Sequence, residues 1–286
     1  MIKVRVPATT ANMGPGFDVI GMALDLYNTF TFSMDGENVD RGSMIYEAAE
    51  VVFDRAGESM EKFNYRVEAD IPIARGLGSS ATCIVGGMLG ANALLGEPFE
   101  KDEILKMASD FEGHPDNIAP ALLGGCVISI GTDEKVLYRK MAGSRAISTI
   151  AAFPDFDLST AEARAVLPKA LGYPDAVANI GRMAFLVHGL ESGDVESIFL
   201  GLKDCIHEPY RAELIHGYET MKTIEESYPG KMVISGAGPT LLFVTEYGDN
   251  LEEIKAAWER ISEPLEATWD IRILHTTDEG AEVIKA

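Results

Sequence analysis

The chain has 286 residues, 47% hydrophobic and 24% charged: longer than one average domain, apolar enough for a full core, and outside the composition of disordered chains. Its formal charge of −21 opposes nucleic acid and anionic membrane surfaces as partners, because both require a concentrated cationic face. A polyanionic ligand must then be held by local geometry: backbone N–H groups, a helix N-terminus, a metal ion and a few placed arginines.

From the N-terminus, residues 2–6 alternate apolar and cationic side chains and read as a strand, and the stretch has no apolar signal-peptide segment. A Gly/Pro-rich loop at 7–18 leads to an aromatic, β-branched strand at 27–33. Helical spacing follows at 44–56, a strand at 65–69, and a long small-residue helix at 77–95 that opens after a glycine turn. The apolar part of that helix, 83–95, is short and glycine-broken for a membrane span. Residues 101–112 form another amphipathic helix, and 126–130 with 136–139 a hairpin around Gly131-Thr132-Asp133. After Ala142-Gly143-Ser144 the pattern restarts with a strand at 147–153, which sets the expected domains at 1–145 and 146–286. Helices at 175–191, 213–228 and 251–261 and strands at 232–235, 241–245 and 268–274 then mix in an α+β manner. Cys83, Cys126 and Cys205 are far apart, lack zinc-ligand spacing and read as reduced, so a cytoplasmic location is expected.

Three segments carry chemistry. Pro72-Ile73-Ala74-Arg75-Gly76-Leu77-Gly78-Ser79-Ser80-Ala81 follows a strand and opens a helix, so its glycines let the backbone approach an anion while two hydroxyls reach phosphate oxygens or a metal. It is a phosphate cradle without the lysine of a Walker A loop; the alternative is a glycine turn with Ser79 or Ser80 as an ordinary N-cap. Glu112-Gly113-His114-Pro115-Asp116-Asn117 ends one helix with a carboxylate and opens the next with an acid-amide pair. Glu112 with Ser79 or Ser80 suits the Mg²⁺ that accompanies ATP; alternatively Asp116 only caps the helix near Ile118 and His114 packs in a turn. Ser235-Gly236-Ala237-Gly238-Pro239-Thr240 between two strands is a third loop whose backbone can approach a ligand.

Together these segments resemble the GHMP small-molecule kinases, and within them the homoserine kinase branch. Pro7-Ala8-Thr9-Thr10-Ala11-Asn12-Met13-Gly14-Pro15-Gly16-Phe17-Asp18 is similar to the opening motif of that branch, where mevalonate and galactose kinases carry a lysine and a Gly-Glu-His. The three chemical segments look like the family's ATP, middle and C-terminal motifs, the middle one continuing through Ala119-Pro120 and Gly124-Gly125. Residues 159–168 and His207-Glu208-Pro209-Tyr210-Arg211 also resemble segments of the branch.

The resemblance implies an α+β GHMP kinase fold: an N-terminal ribosomal-S5-like α/β domain with a left-handed βαβ unit and a C-terminal ferredoxin-like α/β sandwich. It implies ATP-dependent phosphorylation of L-homoserine in threonine biosynthesis by a homodimer. It places Asn12, Asp18, Asp116, Thr160, Arg164, Arg211 and Gly236 around homoserine, and Pro72 through Ala81 with Thr82 around ATP. It places Glu112, Ser79 and Ser80 on Mg²⁺, and Asn117 with Asp18 is expected to orient the hydroxyl for direct transfer. The charges agree, since carboxylates answer an ammonium and arginine forks a carboxylate. Relatives usually carry an asparagine near residue 44, where adenine is contacted; Gly42-Ser43 stands here, after a short segment at 35–42. The rival readings are a kinase of this family acting on another alcohol, such as mevalonate or shikimate, and a silent ligand sensor on the same fold.

Overall fold

A computed structural model describes residues 1–36, 40–141 and 145–285. Ala142-Gly143-Ser144, on which the domain boundary was placed, and residues 37–39 of the short segment before residue 44 lie outside the described residues.

Strands β1 (Ile2–Asn12) and β2 (Gly16–Ser33) pair antiparallel over almost their whole length, with register shifts at Pro7/Ala8 and Ala11/Asn12. The loop expected at 7–18 is therefore mostly strand. Ala8, Thr9, Thr10 and Ala11 are small, buried and laddered to β2, and only residues 13–15 turn, with positive φ at Asn12, Met13 and Gly14. Next come α1 (Met44–Ala56), β3 (Asn64–Ala69), α2 (Ser79–Leu94), α3 (Lys101–Glu112), α4 (Ile118–Leu123) and the hairpin β4 (Cys126–Gly131) and β5 (Val136–Met141). Val4, Val6, Phe30 and Phe32 of the sheet bury against α1 to α4, the sheet residues alternating and the helix residues recurring at helical spacing.

The second half runs β6 (Ile147–Pro154), α5 (Thr160–Ala165), α6 (Tyr173–Ser192), α7 (Val195–Gly201), α8 (Glu208–Arg211), α9 (Tyr218–Lys222), α10 (Ile224–Ser227), β7 (Lys231–Ile234), β8 (Leu241–Glu246), α11 (Leu251–Ser262) and β9 (Trp269–Leu274). Its sheet is antiparallel, in the order β7-β8-β6-β9. The single helix expected at 213–228 is broken into short pieces, because Gly217 takes a left-handed conformation and restarts the chain as α9. One face of this sheet, with Ile150, Ala152 and Phe243, packs on α9 to α11. The other, with Ala151, Phe153 and Leu242, packs on α6, α7, residues Ala8 and Met22 of the first sheet and Met13 of the turn between its first two strands. The two sheets therefore share a core, and loops from both meet at one place. Strand β10 (Glu282–Lys285) returns from the second half to pair with β1, completing the first sheet in the order β10-β1-β2-β4-β5 with β3 on β2. Among the described residues no helix is long and apolar enough to cross a membrane.

Candidate active site

The three chemical segments and the 12–18 turn converge on a cavity of about 460 Å³. Helix α2 begins at Ser79 behind left-handed Gly78, with no side-chain cap, so neither serine acts as an N-cap and the first-turn N–H groups stand uncapped beside the cavity. A Cβ on Gly78 would sit 1.9 Å from Thr9 Oγ1, and one on Gly76 2.3 Å from Ser235 O; both glycines also have positive φ. The loop is thus pressed between the N-terminal strand and the C-terminal loop. Arg75 fastens it to the end of β6 through the carbonyls of Pro154 and Phe156 and a 3.1 Å pair with Asp157. Ile73, Ala74, Arg75, Gly76, Gly78, Ser79 and Ser80 line the cavity. Pro72, Leu77, Ala81 and Thr82 do not: the last three are buried in packing, and Asn28 donates to the Thr82 hydroxyl.

On the acidic side, Ser80 Oγ donates to Glu112 Oε2 at 3.1 Å. Burial raises the Glu112 carboxyl above its usual range, against the lowering effect of that hydrogen bond. A carboxylate and a hydroxyl make an all-oxygen donor set suited to a hard cation. Asp18, His114 and Asp116 also bring ligand atoms within 4.8 Å of one another, but a cation there would have to displace Arg164 from Asp18 and His114 from Asp116. His114 Nδ1 lies 2.6 Å from Asp116 Oδ1, and this bond keeps the imidazole charged to higher pH. Asp116, 2% exposed, also accepts the Asn117 N–H at 3.0 Å, so it is no simple cap of α4. Asn117 Oδ1 accepts the Thr9 hydroxyl at 2.8 Å.

On the basic side, Arg164 grips Asp18 with two bonds of 2.7 and 3.1 Å, so the two groups expected at opposite ends of an amino acid neutralise each other. Arg211, 1% exposed, donates through Nε to Ala163 O at 3.2 Å and through Nη1 to Gly236 O at 2.9 Å. Burial, with Arg164 nearby, pulls its guanidinium down to about 10. Asn12 donates to the same Gly236 carbonyl at 2.6 Å and accepts the Asp18 N–H at 3.0 Å, fixing the turn to the C-terminal loop. Thr160 stands exposed in the first turn of α5. Asn12, Asp18, Asp116, Asn117, Thr160, Arg164, Arg211 and Gly236 all line the cavity. So do His114 and Ser159, which lie in motif segments but take no site role from the sequence; the Gly113-His114-Pro115 turn folds His114 back onto Asp116 two residues on.

Behind the basic wall, Glu208 accepts the Ile234 N–H at 2.9 Å, and burial pushes its carboxyl up to about 8. The unfolded chain ionises this group from about 4.5 upward while the folded chain keeps its proton. Its favourable contribution to stability is therefore present below about 4.5 and is lost as pH rises to about 8. Glu208→Gln keeps the acceptor and should raise stability at pH 8 by on the order of 3 kcal/mol over the unmodified chain. The gain should vanish at pH 4.5, as read by chemical denaturation at both pH values.

A model of the GHMP kinases N terminal domain matches residues 43–125, which contain the phosphate loop and Glu112 to Asn117. The crystal structure of homoserine kinase from Cytophaga hutchinsonii aligns with a TM-score of 0.87 at 28% identity, covering 99% of this chain and 97% of that one. Mevalonate diphosphate decarboxylase from Staphylococcus aureus shares the fold alone, with a TM-score of 0.72 at 15% identity and coverage of 100% and 99%. Fold and cavity thus define the class, that of the GHMP small-molecule kinases. Homoserine kinases of Crocosphaera subtropica and Clostridium beijerinckii are each 42% identical, over 99% and 100% of this chain and 97% and 99% of theirs. The chain belongs to the homoserine kinase family, and it is a kinase that draws its phosphoryl group from ATP.

Proposed function

We propose that this protein transfers the γ-phosphoryl group of magnesium-ATP to the side-chain hydroxyl of L-homoserine, giving O-phospho-L-homoserine and ADP. The observation that carries this reading is the matched pair Asp18–Arg164 lining the same cavity as Asp116 and Arg211. An α-amino acid brings both signs of charge and can exchange with that pair, its ammonium taking the carboxylate and its carboxylate the guanidinium groups. Mevalonate and shikimate bring no ammonium.

The ATP phosphates would lie along residues 73–80, against backbone N–H groups at the start of α2. Glu112 with Ser80 and Ser79 would hold Mg²⁺, which when bound neutralises phosphate charge. Because Thr9 occupies Asn117 Oδ1, the amide Nδ2 is the end that turns toward the homoserine hydroxyl, and Asp18 orients the same substrate. His114 Nδ1 is engaged with Asp116 Oδ1 at 2.6 Å, so that nitrogen is not open to the hydroxyl proton. Direct in-line transfer follows: the hydroxyl oxygen bonds to phosphorus, the bond to the β–γ bridging oxygen breaks, and the hydroxyl proton passes to a phosphoryl oxygen.

Two domains divided at residue 145 and a cytoplasmic homodimer belong to the same proposal. For the dimer, α6 shows a row of exposed apolar side chains, Tyr173, Val177 and Ile180, at 89%, 64% and 69% exposure. Product analysis tests the function. Phosphorus NMR and mass spectrometry of a reaction with L-homoserine and magnesium-ATP should show one phosphomonoester on the amino acid; ATP consumed with no such ester would defeat the reading.

A further inference from the structure

Phe17 sits between Gly16 and the cavity acid Asp18, half-buried and outside the cavity wall. Three side chains from the second half of the chain meet its ring. Arg211 Cζ lies over it at 5.1 Å from the centroid, Arg164 Cζ at 5.5 Å, and the His207 ring at 5.3 Å with a 34° tilt. Two guanidinium groups gathered in a half-dry pocket repel, and the field of Arg164 adds to burial in weakening the charge on Arg211. Arg164 is further bonded to Asp18, and Arg211 to the carbonyls of Ala163 and Gly236, with His207 Nδ1 at 3.5 Å from its Nη1. The electron-rich face of an aromatic ring attracts a cation within about 6 Å, so one phenyl group can offset the repulsion between two. His207, fully buried and kept neutral by desolvation, adds no third cation, and its Nε2 lies 2.7 Å from Gly14 O.

We propose that Phe17 is a positioning residue for the substrate carboxylate, its ring holding the guanidinium groups of Arg164 and Arg211 together so that both are presented to one anion. The proposal rests on the reading of the site given above. It differs from an ordinary packing role in one respect: the hold depends on π-electron density and not only on the size of the side chain.

The test replaces Phe17 in the full-length protein with mono-, di- and trifluorophenylalanine, which withdraw density from the ring at nearly constant shape. KM for L-homoserine should rise stepwise, reaching about fivefold with three fluorines, while kcat and KM for ATP stay within about twofold. Phe17→Trp should retain the low KM, and Phe17→Leu should raise it by about tenfold. A KM that stays flat along the fluorine series, with Leu as good as Trp, overturns the proposal.

A second readout needs no turnover. Rotation of the Arg164 and Arg211 guanidinium groups about Cζ–Nε, followed by ¹⁵N NMR, should quicken in the same order as fluorines are added. If the unmodified protein does not phosphorylate L-homoserine, the substrate assignment falls, yet the rotation rates still decide the hold of Phe17: quickening supports it and unchanged rates overturn it.

Discussion

Arg211→Lys should lower kcat/KM for L-homoserine by about 10³-fold, most of it in KM, with KM for ATP within about twofold of the unmodified protein. The guanidinium is 1% exposed, and two of its edges are fixed on the carbonyls of Ala163 and Gly236. The fork is therefore aimed before substrate arrives. A lysine offers one ammonium on a flexible stem and cannot hold both carbonyls while meeting a carboxylate. It would also leave a buried acceptor unpaired, at about 1–3 kcal/mol of stability. Arg164→Lys should cost less, about 10- to 100-fold, because Arg164 is partly exposed and its main partner, Asp18, can pair with either cation. Steady-state kinetics on both variants, with denaturation curves to confirm folding, decide this. An unchanged KM for homoserine in Arg211→Lys would remove that arginine from substrate binding.

Glu112→Gln should lower kcat by about 10³-fold and raise the Mg²⁺ concentration needed for half-maximal rate. Glutamine keeps the shape and an oxygen for the Ser80 hydroxyl but removes the charge, so the packing at the end of α3 is preserved. The metal-titration curve separates a lost metal ligand from general damage, and a variant with unchanged Mg²⁺ dependence would take Glu112 out of the metal site.

Much of this arrangement is legible in the sequence because the signals are local. Residues 101–112 read as a helix from spacing alone and the helix spans those residues; the hairpin at 126–141 follows from its turn. What sequence cannot supply is pairing across long separations. The 7–18 segment looks like a loop from its glycines and prolines, yet Ala8 to Ala11 are held as strand by residues 21–24 of β2. Strand β10 has four residues and no pattern of its own; it exists because β1 leaves an edge for it. The same limit applies at the cavity. The motifs supplied its lining residues, but Asn12, placed by resemblance on homoserine, has both ends of its amide engaged by Gly236 and Asp18. It thereby joins the N-terminal turn to the C-terminal loop while still lining the cavity. Nor does the chain order show that Asp18 and Arg164 close on each other, 146 residues apart.

The central claim is that the cavity recognises both charges of an amino acid, and it is tested most directly by comparing kcat/KM for L-homoserine with two truncated analogues. One, 4-hydroxybutyrate, lacks the ammonium; the other, 2-amino-1,4-butanediol, lacks the carboxylate. With magnesium-ATP in a coupled ADP-release assay, each analogue should fall at least about 100-fold below homoserine, because a buried charge is left unanswered in either case. Comparable turnover of either analogue, or of mevalonate or shikimate, would contradict the account and keep only the fold and the ATP site.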